Sequence, residues 1–240
     1  MPQRETAIIV GVGPGLGAAL ARRFSRAGMK IAVARRNAEA LEALTKELGS
    51  AARAYACDAT DESSVLKLFS SVAADFGPPQ LVVFNAGAFV RKGILETSAE
   101  EFERCWRVGC LGGFLVGRAA VSAMLAQKGG ANHRGTIIFT GATASLRGGA
   151  MFHNLAVGKF GLRALAQSMA REFQPKGIHV AHVVIDGQIE SERPGRSVAE
   201  RGDDAVLSPG AIAESYYQLH LQPPSAWTLE LDLRPYVEKF

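Results

Sequence analysis

The sequence is poor in cysteine, and its few cysteines follow no ligand pattern. Cys57, Cys105 and Cys110 are odd in number and lack the CxxC spacing of a redox or zinc motif. This pattern argues against a disulfide framework and a zinc site, and it indicates a reducing compartment. We therefore predict no metal site and a cytoplasmic location.

Long apolar runs are also lacking. The first ten residues, MPQRETAIIV, contain no basic segment followed by a long apolar one, so no signal peptide is predicted. The most apolar helical stretch, LGGFLVGRAAVSAMLA, is interrupted by Arg118 and falls short of the roughly 18 uncharged residues of a membrane span. We expect no contact with a membrane.

Clusters of one charge are missing as well. The net charge is +4 over 240 residues, but the basic residues are scattered among acidic ones and no basic run alternates with aromatic residues. Nucleic-acid binding is therefore disfavoured, and the expected partner is a small-molecule substrate. The length suits a single α/β domain over 1–240.

Short β-branched runs alternate with longer segments of helical period. Continuous apolar strands in regular β-α-β alternation indicate a doubly wound parallel sheet with helices on both faces, in the α/β class. The predicted strands cover 6–10, 30–34, 53–57, 81–85, 135–140, 179–185 and 227–233. The predicted helices cover 16–27, 38–48, 62–76, 99–127 and 152–174. The most polar segment, 187–210, is predicted to be a mobile substrate loop, with a solvated surface insertion as the alternative.

Four glycines stand between the first predicted strand and the first predicted helix. In IIVGVGPGLGAALARRF these are Gly11, Gly13, Gly15 and Gly17. Missing side chains let the backbone turn tightly and let a pyrophosphate approach the free N–H groups of the helix N-terminus. A tight loop is the alternative, but the position after a strand and before a helix favours nucleotide binding.

The end of the second predicted strand indicates which nucleotide binds. An acidic residue there would bind a ribose 2′-hydroxyl, whereas a cation accepts a 2′-phosphate. The sequence AVARRN offers Arg35 and Arg36 and no acid, which favours NADP(H) over NAD(H); solvated charge at a helix start is the alternative. Asp58 follows the third strand. Its carboxylate either accepts a hydrogen bond from the adenine amino group or lies at the start of the next helix, ahead of Asp61 and Glu62.

These motifs resemble those of the short-chain dehydrogenase/reductase family over nearly the whole chain. Gly11, Gly15 and Gly17 match the spacing of its glycine turn, while DAT (58–60), FNAGA (84–88) and GTIIFTGATAS resemble later landmarks of the family. The resemblance implies a seven-stranded parallel Rossmann sheet and a homodimer or homotetramer packed through the two long helices. It implies a cofactor site formed by Gly11, Gly13, Gly15, Leu16, Gly17, Arg35, Arg36, Asp58, Ala59, Asn85, Ala86, Gly87, Lys159, Gly187, Ile189 and Ser191.

The sequence departs from that family where the family holds its catalytic groups. Leu155 stands at the position of the proton-donating tyrosine, Ala142 at that of the serine and Gly109 at that of the asparagine. The family's fourth catalytic group is the lysine of its YxxxK pattern. It corresponds to Lys159 and is the only one of the four that the resemblance finds in this sequence.

Further departures concern the cofactor. Asp186-Gly187 replaces the Pro-Gly turn after the sixth strand, and Ser191 replaces the usual threonine. Pro14 stands where NADP-preferring members often carry a basic residue. The predicted preference for NADP(H) therefore depends on Arg35 and Arg36.

The loss of a positioned proton donor is expected to cost about 10²–10⁴ in rate. Lys159 fits an anchor for ribose hydroxyls, with a stem packed on apolar surface as the alternative. His153 is the best local replacement acid, because its unperturbed pKa lies near neutrality. The 100° helical step nevertheless puts His153 roughly 120° from the direction of Lys159, and a surface or interface role is the alternative.

Three functions fit this pattern. We predict an NADP(H)-dependent oxidoreductase of the short-chain dehydrogenase/reductase type, in which His153, water or the substrate itself supplies the proton. The alternatives are a catalytically inactive NADP-binding sensor or partner subunit, and a non-redox isomerase or lyase that uses the same pocket.

Overall fold

The fold is built on one parallel sheet. The computed structural model describes residues 4–127, 133–191, 197–202 and 204–238. Within them, seven strands lie in the order β3-β2-β1-β4-β5-β6-β7, and each is parallel to its neighbours. The strands are β1 (Thr6–Val10), β2 (Lys30–Arg35), β3 (Ala52–Ala56), β4 (Leu81–Phe84), β5 (Gly135–Thr140), β6 (Ile178–Ile185) and β7 (Glu230–Leu233). The predicted seven-stranded Rossmann sheet is confirmed.

Helices cover both faces of the sheet. The described helices are α1 (Leu16–Arg26), α2 (Glu42–Leu48), α3 (Glu62–Phe76), α4 (Ala99–Trp106), α5 (Gly112–Leu125), α6 (His153–Phe173), α7 (Val198–Arg201) and α8 (Pro209–Leu221). Strands β1, β4, β5 and β6 are buried along their whole length, so both faces carry apolar side chains. Phe84 and Phe139 belong to one core, and Phe24 and Tyr216 belong to the other.

The order of the strands opens a crevice beside β1. Strands β2 and β3 lie on one side of β1, and β4 to β7 lie on the other. The connections that leave β1 and β4 therefore diverge, and a crevice forms outside the carboxyl ends of these strands. Val10 and Phe84, the last residues of β1 and β4, pair with each other at its base.

The helix predicted over 99–127 is two helices joined by a π turn. Helix α4 ends at Trp106, Arg107–Leu111 form the wider turn, and α5 begins at Gly112. The prediction of one regular helix is wrong at this point. A π turn adds a single residue to a helix that otherwise continues, so the apolar period hardly reveals it.

Glycines bring α5 and the π turn close to α6. A β-carbon on Gly113 would lie 2.3 Å from Leu162 Cδ1, and one on Gly161 would lie 2.7 Å from Cys110 Sγ. The stretch Ala99–Leu125 is long and apolar enough to cross a membrane, but 56% of its most apolar window is buried inside the protein. Its apolar character is used in packing against α6 and the sheet.

Two other boundaries differ from the prediction. The helix expected over 38–48 starts as a 3-10 turn, Ala38–Leu41. The last strand starts at Glu230 instead of residue 227. Trp227 is held out of the strand because its ring stacks on His179, with 5.1 Å between ring centroids, and its indole N–H donates to the carbonyl of Gln222.

The segment predicted as a substrate loop, 187–210, is described in part. Ile189 forms an isolated parallel bridge with Leu207. Helix α7 begins with a capping box, in which Ser197 and Glu200 bind each other's backbone N–H groups. Residues 192–196 and 203 lie outside the described residues, and the role of this segment in substrate binding stays a prediction.

Candidate active site

A cleft of about 680 Å³ opens at the carboxyl ends of β1, β2 and β4. It brings together a large part of the predicted cofactor site: Gly11, Gly13, Arg35, Arg36, Asp58, Ala59, Asn85, Ala86 and Gly87. Its wall also contains residues that were not predicted to bind the cofactor: Val10, Val12, Pro14, Asn37, Cys57, Thr60 and Val108. Val108 reaches the cleft from the π turn, so no sequence signal marks it.

The four glycines of the turn divide into two pairs. A β-carbon on Gly11 would lie 2.4 Å from the backbone nitrogen of Ala86, and one on Gly17 would lie 2.8 Å from Val12 Cα. A β-carbon on Gly13 or Gly15 would meet no described atom within 4 Å. The first pair permits close packing of the backbone, and the second pair leaves open space in front of α1.

The N-terminus of α1 faces that open space. Leu16 is the first residue of the helix, Gly15 caps it without a side-chain hydrogen bond, and the first turn holds no acidic residue. Free N–H groups and the helix dipole favour an anion at such an end. Leu16 and Gly17 themselves are buried in the helix.

Asn85 joins the glycine turn to the segment after β4. Its side-chain amide donates to the carbonyl of Gly11 at 3.0 Å, and its backbone N–H donates to the carbonyl of Val10 at 2.8 Å. The predicted FNAGA segment and the glycine turn therefore form one continuous wall.

The side chains at the ends of β2 and β3 have free polar groups. Among the described residues, neither Arg35 nor Arg36 has a side-chain hydrogen bond or ion pair, whereas Arg22, Arg23, Arg118 and Arg163 each pair with a glutamate. Asp58 accepts from the N–H and hydroxyl of Thr60 with Oδ1, and its Oδ2 has no partner in the described part of the chain.

Asp58 is not the cap of the helix that follows it. The side chain of Asp61 accepts from the backbone N–H groups of Ser63 and Ser64 and so caps α3. The alternative reading of Asp58 as a helix-start carboxylate is therefore not what the structure shows.

Lys159 is buried on α6 beside this wall. Only 6% of the residue is exposed, and its Nζ donates to the backbone carbonyl of Thr140 at 2.6 Å. Nζ lies 3.9 Å from the point that a β-carbon on Gly87 would occupy. Burial lowers the pKa of the ammonium from 10.5 to about 8, because the charged form is poorly solvated there.

The three positions predicted to have lost catalytic groups lie on α6, after β5 and in the π turn. Leu155 lies one turn before Lys159 on α6 and is half-buried, and Ala142 is half-buried after β5. Gly109 lies in the π turn, where a β-carbon would stand 3.7 Å from Gly158 Cα. None of these side chains can donate a hydrogen bond.

His153 is engaged away from Lys159. Its Nε2 lies 3.0 Å from the hydroxyl of Thr97, and its ring stacks against Phe102 with 6.4 Å between ring centroids. Its neighbour Asn154 is buried, donates to the carbonyl of Val90 at 2.7 Å and accepts from the N–H of Val90 at 3.4 Å. The start of α6 is thus tied to the loop after β4, and catalysis by His153 stays a prediction.

The turn after β6 contains a polar cluster that was not predicted. Asp186 is buried, accepts from the hydroxyl of Thr143 at 2.5 Å and lies 3.6 Å from the guanidinium of Arg234. A β-carbon on Gly187 would lie 2.9 Å from Pro235 Cδ. Residues far apart in sequence meet here, so the sequence offered no signal for the cluster.

The remaining predicted cofactor residues follow that turn. Ile189 is half-buried and pairs with Leu207, and Ser191 is half-buried at the end of a described stretch. Gly15, Leu16, Gly17, Lys159, Gly187, Ile189 and Ser191 lie outside the residues that line the 680 Å³ cleft.

Comparison with known proteins agrees with this architecture. A family model described as short chain dehydrogenase matches residues 5–197. A relative named inactive 2-(S)-hydroxypropyl-CoM dehydrogenase 2, from Xanthobacter autotrophicus, is 30% identical over 195 residues, which cover 81% of this chain and 82% of that protein.

Two solved structures share the fold. A short-chain dehydrogenase from Rhodopseudomonas palustris is 40% identical, with a TM-score of 0.82, over 98% of this chain and 100% of that one. An alcohol dehydrogenase from Thermococcus sibiricus complexed with 5-hydroxy-NADP is 24% identical, with a TM-score of 0.86, over 99% of each chain. The family match, supported by the cleft at the sheet's switch point, shows that the chain belongs to the short-chain dehydrogenases, a family of oxidoreductases.

Proposed function

We propose that this protein is an NADP(H)-dependent oxidoreductase whose proton donor is not the tyrosine usual in its family. The observation that carries the proposal is the pair Arg35 and Arg36, which line the cleft at the end of β2 without a side-chain partner in the described residues. An unpaired cation at this point is suited to a 2′-phosphate, and no acid stands there to bind a 2′-hydroxyl.

The open space in front of α1 fits the pyrophosphate of such a cofactor. Gly13 and Gly15 leave the approach to the helix N-terminus clear, since β-carbons there would point into empty space. We assign the adenine side to Asp58 and the ribose next to the nicotinamide to Lys159. When bound, the cofactor supplies or accepts a hydride.

The replacement of the family's acid shapes the chemistry that we expect. Leu155 cannot supply a proton and Ala142 cannot orient a carbonyl, which together remove roughly 3–5 kcal/mol of transition-state stabilisation unless another group acts. Substrates such as iminium ions or activated enones need little help from an acid. The proposed function leaves His153, water and the substrate itself as candidate sources of the proton, and His153→Ala tests the first of them.

A second candidate is a catalytically inactive NADP-binding protein. The same two residues, Leu155 and Ala142, favour it, and one relative carries the word inactive in its name. This candidate keeps the cofactor cleft and predicts no turnover, so binding and turnover measured separately distinguish it from the first.

We further propose a cytoplasmic homodimer or homotetramer acting on a small-molecule substrate. Trp106 on α4, Phe114 on α5, and Val157 and Phe160 on α6 are each more than one third exposed. Large apolar side chains on neighbouring helices form a patch that a second subunit can cover.

Fluorescence titration with NADPH and NADH tests the cofactor assignment. We expect the double substitution of Arg35 and Arg36 by serine to weaken NADPH binding by about 10–100-fold, or about 1.4–2.8 kcal/mol. NADH binding should stay within a factor of about two. Arg26→Ser, an exposed arginine on α1, is the matched control and should change neither.

Equal affinity of the unmodified protein for NADPH and NADH would contradict the NADP(H) preference. Failure to bind either nucleotide would overturn both candidates. If NADPH binds, turnover over a panel of ketones, imines and enones decides between the oxidoreductase and the inactive protein.

A further inference from the structure

We propose that Lys159 is itself the proton donor, delivering a proton from Nζ to a substrate oxygen held beside Gly87 in the wall of the cleft. This inference deepens the proposed oxidoreductase function and rests on it. It gives the retained lysine a chemical role in place of a purely supporting one.

Among the described residues, Nζ of Lys159 is held by a hydrogen bond on one side only. An ammonium has three N–H donors, and the described residues provide one acceptor, the carbonyl of Thr140 at 2.6 Å. Two N–H groups therefore remain for the ligand side, where Gly87 forms the neighbouring wall. One can bind a ribose hydroxyl while the other points to a reacting oxygen.

The side chain one turn before Lys159 carries no polar group, and Nζ lies beside Gly87, which lines the cleft. Leu155 shares a helix face with Lys159 at the i, i+4 spacing. A leucine side chain is shorter than that of a tyrosine and has neither its ring nor its hydroxyl. Ala142 likewise places no hydroxyl there. A substrate oxygen can thus come nearer to Nζ than it could past a tyrosine.

The other hydroxyl and imidazole groups of the region already have partners. Tyr216 is fully buried and donates to the hydroxyl of Thr140 at 3.0 Å. Thr143 donates to Asp186, and His153 lies against Thr97. Each would have to leave its partner before it could protonate a substrate.

Ser145 is engaged with its neighbours on β6 and after β5. It is fully buried, accepts from the N–H of Ala142 at 3.1 Å and lies 3.4 Å from Nε2 of His182. Lys159, by contrast, keeps two N–H donors for which the described residues provide no acceptor.

The titratable groups packed around this part of α6 are uncharged or neutralised. Burial lowers the pKa of His182 on β6 to about 4 and raises the thiol pKa of Cys105 on α4 and Cys110 in the π turn. Arg163 on α6 is paired with Glu230 on β7, and Asp186 is engaged with Thr143 and Arg234.

Burial alone therefore sets the acidity of Lys159. Its pKa of about 8 leaves most of the group charged at neutral pH, while the proton is released far more easily than from a solvated lysine. A donor with a pKa near the working pH is the most effective general acid.

In the proposed reduction of a carbonyl, each bond that forms is matched by one that breaks. With NADPH as the reductant of the proposed function, the C–H bond that holds its hydride would break as the hydride bonds to the substrate carbon, leaving NADP⁺, and the π electrons of the C=O bond would move to the oxygen. The oxygen takes the proton from Nζ, so the N–H bond breaks and leaves a neutral amine. The amine is protonated again by water after the product leaves.

A titration of Lys159 in the cofactor-free protein tests the inference without any turnover. Lysine labelled with ¹³C at Cε gives a signal that shifts as the amine loses its proton, and Lys159→Arg identifies the signal by its disappearance. We expect a midpoint near pH 8, against about 10.4 for a lysine side chain in water. A midpoint of Lys159 above about pH 10 would overturn the proposal.

The second readout is the pH dependence of kcat at saturating NADPH. If Lys159 donates the proton, carbonyl reduction falls tenfold per pH unit above about pH 8, and Lys159→Arg lowers kcat by about 10²–10⁴ because arginine keeps its proton. NADPH affinity of this variant, measured by fluorescence, should change less than about tenfold. Lys67→Arg on α3 is the control and should leave kcat unchanged.

Two results separate this inference from the proposed function. Turnover that stays constant to pH 10, or that survives in Lys159→Arg, would refute Lys159 as donor and leave the oxidoreductase standing. Binding of NADPH without turnover of any ketone, imine or enone would refute the oxidoreductase itself.

Discussion

At the scale of single residues, the burial of Lys159 opposes folding. A charged ammonium with one hydrogen bond has lost most of its hydration, which is why the pKa of Lys159 falls to about 8. The sequence predicted that this lysine would be retained. It did not predict the burial, which depends on how closely the π turn and the wall after β4 pack around α6.

Replacement of Lys159 by methionine is expected to stabilise the cofactor-free protein at pH 7. The unfolded chain holds the proton up to about pH 10.5 and the folded chain only to about 8. The native state therefore gains stability as pH rises between these values, and the methionine variant does not. At pH 7 the penalty removed is about 3 kcal/mol, reduced by the acceptor left unpaired on Thr140.

Urea unfolding of Lys159→Met and the unmodified protein, at pH 7 and at pH 10.5, measures this effect. The stability difference between the two proteins should shift by about 3 kcal/mol across that range. A difference that stays constant with pH would show that the lysine is not desolvated.

The two pairs of glycines in the turn should respond differently to substitution. Gly13→Val is expected to leave the melting temperature within about 2 °C, because its side chain enters open space, and to weaken NADPH binding at least tenfold, or about 1.4 kcal/mol. Gly17→Val should instead lower the stability by several kcal/mol, because its β-carbon meets the backbone at Val12.

Thermal unfolding and NADPH titration of both variants check this contrast. If Gly13→Val fails to fold, or binds NADPH as tightly as the unmodified protein, the space in front of α1 is not where the cofactor binds.

At the scale of elements, the first residues of α6 hold the loop that follows β4 in place. Asn154 binds both backbone groups of Val90 from a buried position, and His153 contacts Thr97 further along the same loop. The loop and the helix that carries Lys159 are thus fixed to each other.

Asn154→Ala should break that connection. Removal of a buried hydrogen-bonding side chain leaves the groups of Val90 unpaired, and we expect a loss of about 1–3 kcal/mol in unfolding free energy. Hydrogen exchange at Val90 should become faster while exchange in β1 does not change. His153→Ala removes only a half-buried contact and serves as the milder comparison; equal effects of the two variants would contradict the assignment.

The sequence predicted elements better than junctions. All seven strands were predicted. The fully buried strands β1, β4, β5 and β6 were visible as apolar runs, because a strand covered on both faces needs apolar residues throughout, whereas β3 and β7 are only partly buried. The π turn was missed because a one-residue insertion hardly disturbs a helical period. The start of β7 was missed because the stacking of Trp227 on His179 is a contact between distant parts of the chain.

The residues of the candidate site show the same difference between short motifs and contacts made only in the fold. Gly11, Arg35 and Asn85 were found because each stands at the end of a strand, where a short motif fixes its place. Val108, which lines the cleft, was missed because it comes from the π turn. The cluster of Thr143, Asp186 and Arg234 was missed because only the folded sheet brings these three residues together.

At the scale of the whole molecule, the exposed apolar side chains of α4, α5 and α6 predict self-association. Phe160→Arg should shift the protein toward monomers in analytical ultracentrifugation, because a buried unpaired charge opposes the closure of an apolar interface. Leu66→Arg on α3, where the native side chain is also exposed, is the control. A monomeric unmodified protein, or a variant that stays associated, would contradict the proposed interface.

The Asp186 cluster has a consequence for how the molecule is assembled during synthesis. Arg234 and Pro235 reach the turn after β6 only once β7 has joined the sheet, whereas the glycine turn needs only β1, β4 and α1. Chains grow from the N-terminus, and their early segments fold first. The glycine turn can therefore form early during synthesis, while the cluster around Asp186 must wait until β7 and Arg234 have emerged from the ribosome.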